Sequence, residues 1–525
     1  MASKSRLSKL QEMHVIHLIA LLLFIFIIFL PPVYVLSYAF KTKFTFDAVS
    51  RTALVNSLVI GLVVTAVNIA LGLPVAWVLA KRKTFRLRQL VDTLIDMPLV
   101  VPTSVLGLSV FYFWSSGMGS LFGVSDGLIS KGPILIALLH IVFTFPYMVR
   151  SVEAAILQID MTHEQAATML GASPLTVFRT ISLPLFKNGL ISGAILVFTR
   201  NLSETGATMM VSGLYATAPT IVVDYKNAGD IPSAAAISVL LIGIAVILLV
   251  LTRLMSGSFR IPMTRVWPNE EKILSYKYYK LRDILVAILV FAVILLPTFY
   301  IILSGVDVIK PNTFVELIKD KVLLNSIIVS FFIGGIVTVV NLLLAIPIGI
   351  IISKNFFKIG GVVDIMSDII LLVPTSALGI SLSLFWKNFA LNEFLILILA
   401  HLSFTFPLMV RPIAASLSGV DSHIEDAART MGARPLKVFR TVVYPLIKPG
   451  ILAGVIMTFM RSLSETGATL SVSENIKTIP VLLVNLFTSG EIDDKAILAC
   501  IILFVLSFIF ILALKRREAH KNAVH

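Results

Sequence analysis

A chain of 525 residues that is 57% hydrophobic and 14% charged, with a mean hydropathy of +0.97, is a polytopic membrane protein and not a soluble enzyme around a large core. A net charge of +14 would suit nucleic acid, but its placement excludes that partner: 28 of the 43 Lys and Arg fall in segments read as cytoplasmic and 10 in segments read as external. This is the positive-inside bias, with attraction to anionic membrane lipid as a by-product.

In chain order, Lys4, Arg6 and Lys9 precede an apolar run from Val15 to Leu30. No small-residue cleavage site follows; Pro31-Pro32 and more apolar chain to Phe40 do, so the spacing predicts an uncleaved first span. Runs long enough to cross a membrane fall at 14–40, 54–80, 91–114, 133–157, 188–213 and 232–252. A basic connector at 253–282 carries seven Lys and Arg with Pro262 and Pro268. The pattern restarts at 283–305, 322–353, 364–386, 392–418, 449–472 and 494–514. The expectation is an all-α polytopic membrane protein of about 12 transmembrane helices, with residues 1–252 and 283–525 as two six-helix halves. Cys500, the single cysteine, lies in an apolar run, so there is no disulfide framework and no thiol metal cluster.

Within the halves, Asp92 and Asp96 open one third span, and Asp364 and Asp368 the other. Pro102 and Pro374 follow, each freeing a backbone carbonyl that either kinks the helix or lines a path, with the kink favoured. His140 and His401, ahead of Pro146 and Pro407 on matching helices, read as hydrogen-bonded packing residues. Arg150 and Arg411, near the cytoplasmic end, are expected to snorkel or to hold the loop that follows.

The loops at 158–187 and 419–448 share one spacing. Glu164-Gln165-Ala166-Ala167 leads to Gly171 and on to Pro184; Glu425-Asp426-Ala427-Ala428 leads to Gly432 and on to Pro445. Such spacing predicts a helix, a left-handed glycine turn and a second helix begun by Pro174 or Pro435, with Ser173 a good N-cap and Arg434 a poor one. Arg200 and Glu204, like Arg461 and Glu465, stand four apart on one helix face towards the external leaflet. Either each pair neutralises itself and fixes packing, or the four residues flank a substrate path.

The halves repeat. HIVFTFPYMVR at 140–150 answers HLSFTFPLMVR at 401–411, and LSETGAT at 202–208 is identical at 463–469, both at an offset of 261. Six spans separate the two loops, so both loops face one side and the repeat is parallel, with two halves around a central path.

These loops resemble the EAA loop of ABC importer permeases, whose pattern is E-A-A-x3-G-x9-I-x-L-P. The first departs at Gln165; the second has Asp426, Val442 and Tyr444 in place of the glutamate, isoleucine and leucine. The third-span, Pro-x-x-Val-Arg and Arg-x-Leu-x-Glu-x-Gly-Ala-Thr segments resemble the sulfate, molybdate and tungstate branch. Fusion of both halves instead resembles ferric-iron and thiamine permeases. The local motifs outweigh fusion, a simple event in any branch, so the resemblance implies an oxyanion such as molybdate, tungstate or sulfate, with ferric iron or thiamine the alternative. The resemblance implies docking of two copies of a cytoplasmic ABC ATPase on the loops at Glu164, Gln165, Ala166, Ala167, Gly171, Glu425, Asp426, Ala427, Ala428 and Gly432. It also implies an extracytoplasmic substrate-binding protein, and transport by alternating access in the inner or plasma membrane of a prokaryote with both termini cytoplasmic. Arg200, Glu204, Arg461, Glu465, Pro102 and Pro374 are the candidates for a substrate path. No G-x-x-x-x-G-K-[ST] occurs, so ATP and Mg are expected on the partner, and this subunit holds no cofactor, metal or catalytic residue of its own. The rivals are an ion-coupled secondary transporter, which has no ATPase partner, and an intramembrane enzyme built on His140 and His401.

Overall fold

The structure, a computed structural model, describes residues 15–42, 46–81, 88–117, 127–258, 268–276 and 279–522. Lys4, Arg6, Lys9 and the connector stretch 259–267 with Pro262 lie outside the described residues. Among the described residues the elements are helices and no strand occurs, as hydrocarbon demands of segments that satisfy their own backbone.

The first half comprises α1 (Val15–Lys41), α2 (Ala48–Lys81), α3 (Arg88–Val100), α4 (Thr103–Tyr112) and α5 (Pro133–Leu157). It continues with α6 (Met161–Met169), α7 (Pro174–Ser203), α8 (Gly206–Val211), α9 (Ala218–Asn227) and α10 (Ile231–Ser258). The connector holds α11 (Pro268–Tyr276). The second half opens with α12 (Asp283–Val308), α13 (Pro311–Lys319), α14 (Lys321–Ser353), α15 (Gly360–Leu372), α16 (Thr375–Lys387) and α17 (Glu393–Ser418). It closes with α18 (Ser422–Thr430), α19 (Pro435–Leu463), α20 (Gly467–Val472), α21 (Ile479–Ser489) and α22 (Asp494–Asn522). Among the described residues, ten helices are long and apolar enough to cross a membrane, or up to 12 if each bent pair counts as one span.

Three expectations change. The third spans are broken rather than kinked: α3 and α4 meet at 107°, α15 and α16 at 110°, with Pro102 and Pro374 as the residues that start the second arm. A proline has no N–H to continue the ladder and pushes its predecessor into extended conformation. The expected spans at 188–213 and 449–472 are also discontinuous. Each begins earlier, at Pro174 or Pro435, ends at Ser203 or Leu463, and is followed by a separate short helix, α8 or α20. The second helix of each EAA-like motif is therefore the start of the next span.

Prolines also shape the continuous spans. The i→i+5 bulges at Phe24–Phe29, Phe178–Ser182, Phe291–Leu295 and Phe439–Val443 each end two residues before a proline: Pro31, Pro184, Pro297 and Pro445. Widening the helix there accommodates the missing donor and the ring without a break.

Two compact units result. One joins residues 1–46 and 221–242 to 316–486; the other joins 47–220 to 243–315 and 487–525. The first helix of each sequence half thus packs with helices of the other half's sequence. In one unit Phe24 meets Phe406 at 5.1 Å between centroids, and Ser403 Oγ donates to the Ile27 carbonyl at 3.3 Å. In the other, Ser109 Oγ donates to the Pro297 carbonyl at 2.6 Å, and Phe113 meets Tyr300 at 5.4 Å. Each unit is centred on an equivalent helix triple. In one, the Phe198 ring of α7 fills the space over Gly61 of α2, and Asn68 donates to Thr144 of α5 at 2.7 Å. In the other, Phe459 of α19 fills the space over Gly334 of α14, and Asn341 donates to Thr405 of α17 at 2.8 Å.

Candidate functional site

The two loops are built alike from local rules. Asp160 accepts the Thr162 amide at 3.0 Å to open α6, and Asp421 accepts that of His423 at 2.9 Å to open α18. The bonds from Thr162 hold the Asp160 carboxyl below its usual range. Both helices end in a Schellman motif. Gly171 at φ +85° donates to Thr168 O at 2.9 Å while Ala172 N reaches back to Ala167 O at 3.1 Å. Gly432 at φ +84° donates to Arg429 O at 2.9 Å and Ala433 N to Ala428 O at 3.1 Å. Ser173 then accepts the Thr176 amide, whereas Arg434 makes no side-chain cap, as the residue types predict.

Exposure divides the ten predicted coupling residues. Gln165, Ala166, Gly171, Asp426, Ala427 and Gly432 are exposed, and Ala167 and Ala428 half-buried. Glu164 is half-buried and Glu425 buried, each bonded within the chain. Glu164 binds Lys81 at 2.7 Å and Ser182 Oγ at 2.8 Å; Glu425 binds Lys354 at 2.6 Å. Lys81 and Lys354 lie at the ends of α2 and α14, so each pair ties a loop helix to a span. The outward tips are instead Leu170 and Met431, each 88% exposed, joined in the first loop by Met169. Sequence reasoning missed them, although an apolar residue directly before the capping glycine was the available signal. It also missed both lysine partners, which are remote in sequence.

Several charges on the apolar helices are paired. Arg150 binds Asp96 at 2.7 Å and Asp92 at 2.9 Å and also pairs with Glu153; Arg411 pairs with Asp368. These arginines hold the first arm of the broken third span. Glu204 and Glu465 are buried, at the break that ends α7 and α19. Glu204 accepts the Ala207 amide at 3.1 Å and Glu465 that of Ala468 at 2.9 Å, capping α8 and α20. Arg461 pairs with Glu465 at 2.6 Å and lies over the Phe404 ring, and Arg200 lies over Tyr147.

The histidines join the same networks. His140 Nε2 lies 2.9 Å from Thr208 Oγ1, and His401 lies 3.0 Å from Thr469 Oγ1 and 2.8 Å from Ser462 Oγ. Thr144 and Thr405 donate to the carbonyls of His140 and His401. The repeated LSETGAT segment therefore caps a short helix and bonds a histidine. Gly107 and Gly379 complete it, because an added Cβ would lie 3.1 Å from Ala207 or 2.8 Å from the Ala468 carbonyl. Pro102 and Pro374 are buried at the bends.

Several curated relatives match parts of this chain. It is 33% identical over 222 residues (42% of this chain, 85% of the relative) to the molybdate/tungstate transport system permease protein WtpB of Pyrococcus abyssi. It is 31% identical over 195 residues (35% and 70%) to a probable sulfate transport system permease protein of Helicosporidium. It is 38% identical over 138 residues (26% and 57%) to the molybdenum transport system permease protein ModB of Escherichia coli. The family of binding-protein-dependent transport system inner membrane components matches twice, at residues 72–261 and 345–519, once around each loop and each LSETGAT segment. With both halves matched, the chain belongs to that family and is a fused, two-repeat member of it.

Proposed function

We propose that this chain is the permease of an ATP-driven importer for a tetrahedral oxyanion such as molybdate, tungstate or sulfate. The observation that carries the substrate class is the set of relatives named for those anions. A substrate-binding protein delivers the anion outside. Two ATPase subunits dock inside, one on the tip at Leu170 and one on that at Met431. ATP draws the ATPases and the loops together. Each loop passes its motion to a span through the glutamate–lysine tie and through the Phe178–Ser182 or Phe439–Val443 bulge. Hydrolysis resets the inward-open state. Arg200 and Arg461 supply cationic groups to an arriving anion, which competes with Glu204 and Glu465 for them.

The test is uptake into proteoliposomes holding the permease and its ATPase, with loaded binding protein outside and ATP inside. Labelled molybdate, tungstate and sulfate are compared with ferric iron and thiamine. Saturable uptake of an oxyanion supports the reading. Uptake of iron or thiamine alone overturns the substrate class, and ion-gradient-driven uptake without ATP overturns the importer.

A further inference from the structure

The connector helix α11 does more than join the halves. Its Glu271 is 6% exposed and grips the first loop at two points: it accepts from Thr176 Oγ1 at 2.6 Å and from Arg179 Nε at 2.9 Å. Ser275, one turn on, accepts the Leu175 amide at 3.0 Å and closes the contact with a third bond. A carboxylate buried at such a contact is costly unless bonded this fully. Arg179 stands inside the Phe178–Ser182 bulge, the joint between the loop and the long span α7.

The second loop is built otherwise. Lys437 stands where the first has Thr176, and both Lys437 and Arg440 are exposed. Leu436 is 77% exposed, whereas its counterpart Leu175 is half-buried. Among the described residues, the first loop is fitted to the connector and the second is not, although the two share helix, glycine turn and bulge.

We propose that α11 is a strap on the first coupling loop, and that Glu271 positions that loop so that ATPase motion enters α7 through a braced joint. Among the described residues only the first loop is braced in this way, and the two loops then couple unequally. The functional half of this proposal rests on the importer reading above; the docking half does not.

The experiment separates the two. Leu175→Cys with Ser275→Cys, in a Cys500→Ala background, is cross-linked with a short thiol reagent in membranes, which needs no ATPase. The pair should cross-link, and adding Glu271→Gln should lower the yield roughly ten-fold, the effect of losing one charge-assisted bond. Exchanging the charges with Arg179→Glu and Glu271→Arg should restore it. In the reconstituted complex, Glu271→Gln should keep normal ATPase stoichiometry yet lower uptake per ATP several-fold, with the exchange variant recovering. Thr176→Val, which keeps the side-chain shape, gives the same readings if Glu271→Gln lowers membrane abundance. An unaltered cross-link in Glu271→Gln, or a lost cross-link with unaltered uptake per ATP, overturns the strap. Failure of the unsubstituted chain to recruit any ATPase contradicts the importer reading instead, while the cross-link still decides whether the strap is docked.

Discussion

At the residue scale, Gly171 and Gly432 matter for backbone conformation alone. An added Cβ would meet nothing within 4 Å at either position, so the cost of a side chain is that of the left-handed conformation, about 1–2 kcal/mol per residue. Gly171→Asn should therefore keep more uptake than Gly171→Val, since asparagine tolerates that region and a β-branched residue does not. Equal loss in both, at equal membrane abundance, would point to a steric role. The buried ion pair gives a second test. Arg461→Met strands Glu465 and should cost about 3–5 kcal/mol, seen as lost membrane abundance. Adding Glu465→Gln should restore abundance, because the amide oxygen still accepts the Ala468 N–H at the helix cap. Restored abundance with abolished uptake would favour a path role for Arg461, and full uptake would remove it from the path.

At the element scale, the glutamate–lysine ties carry the prediction. Lys354→Met frees Glu425 from α14 and should loosen α18, read as faster proteolysis near Asp421 in membranes and weaker ATP-driven uptake. Unchanged proteolysis would leave the tie without a mechanical role. The helices, their repeat and the glycine-ended loops were legible in the sequence because each is set by local rules: apolar run length, spacing and the φ that glycine allows. The partners of Glu164 and Glu425 were not, since Lys81 and Lys354 are brought close only by tertiary packing. Nor were the breaks at Glu204 and Glu465. Apolar composition runs through both, and hydropathy does not register a hydrogen bond that a side chain takes over from the backbone. Prolines pointed to the right places for the third-span bends but not to angles of 107° and 110°.

At the scale of the whole molecule, the repeat predicts topology. Cysteines placed at Leu170 and at Leu214, which is fully exposed after α8, should label from opposite faces of the membrane in a Cys500→Ala background. Labelling of both from outside intact cells would refute a single crossing by α7. The exchange of α1 and α12 between sequence halves was not readable from periodicity, because a span's hydropathy fixes its length and not its neighbours. The central claim is that both loop tips are ATPase docking points, and co-purification tests it most directly. The chain is isolated with its ATPase as unsubstituted protein, as Leu170→Asp, as Met431→Asp and as the double variant. The account predicts two ATPases per chain in the first case, a reduced complement in each single variant and none in the double at unchanged membrane abundance. Full ATPase stoichiometry in the double variant would contradict it.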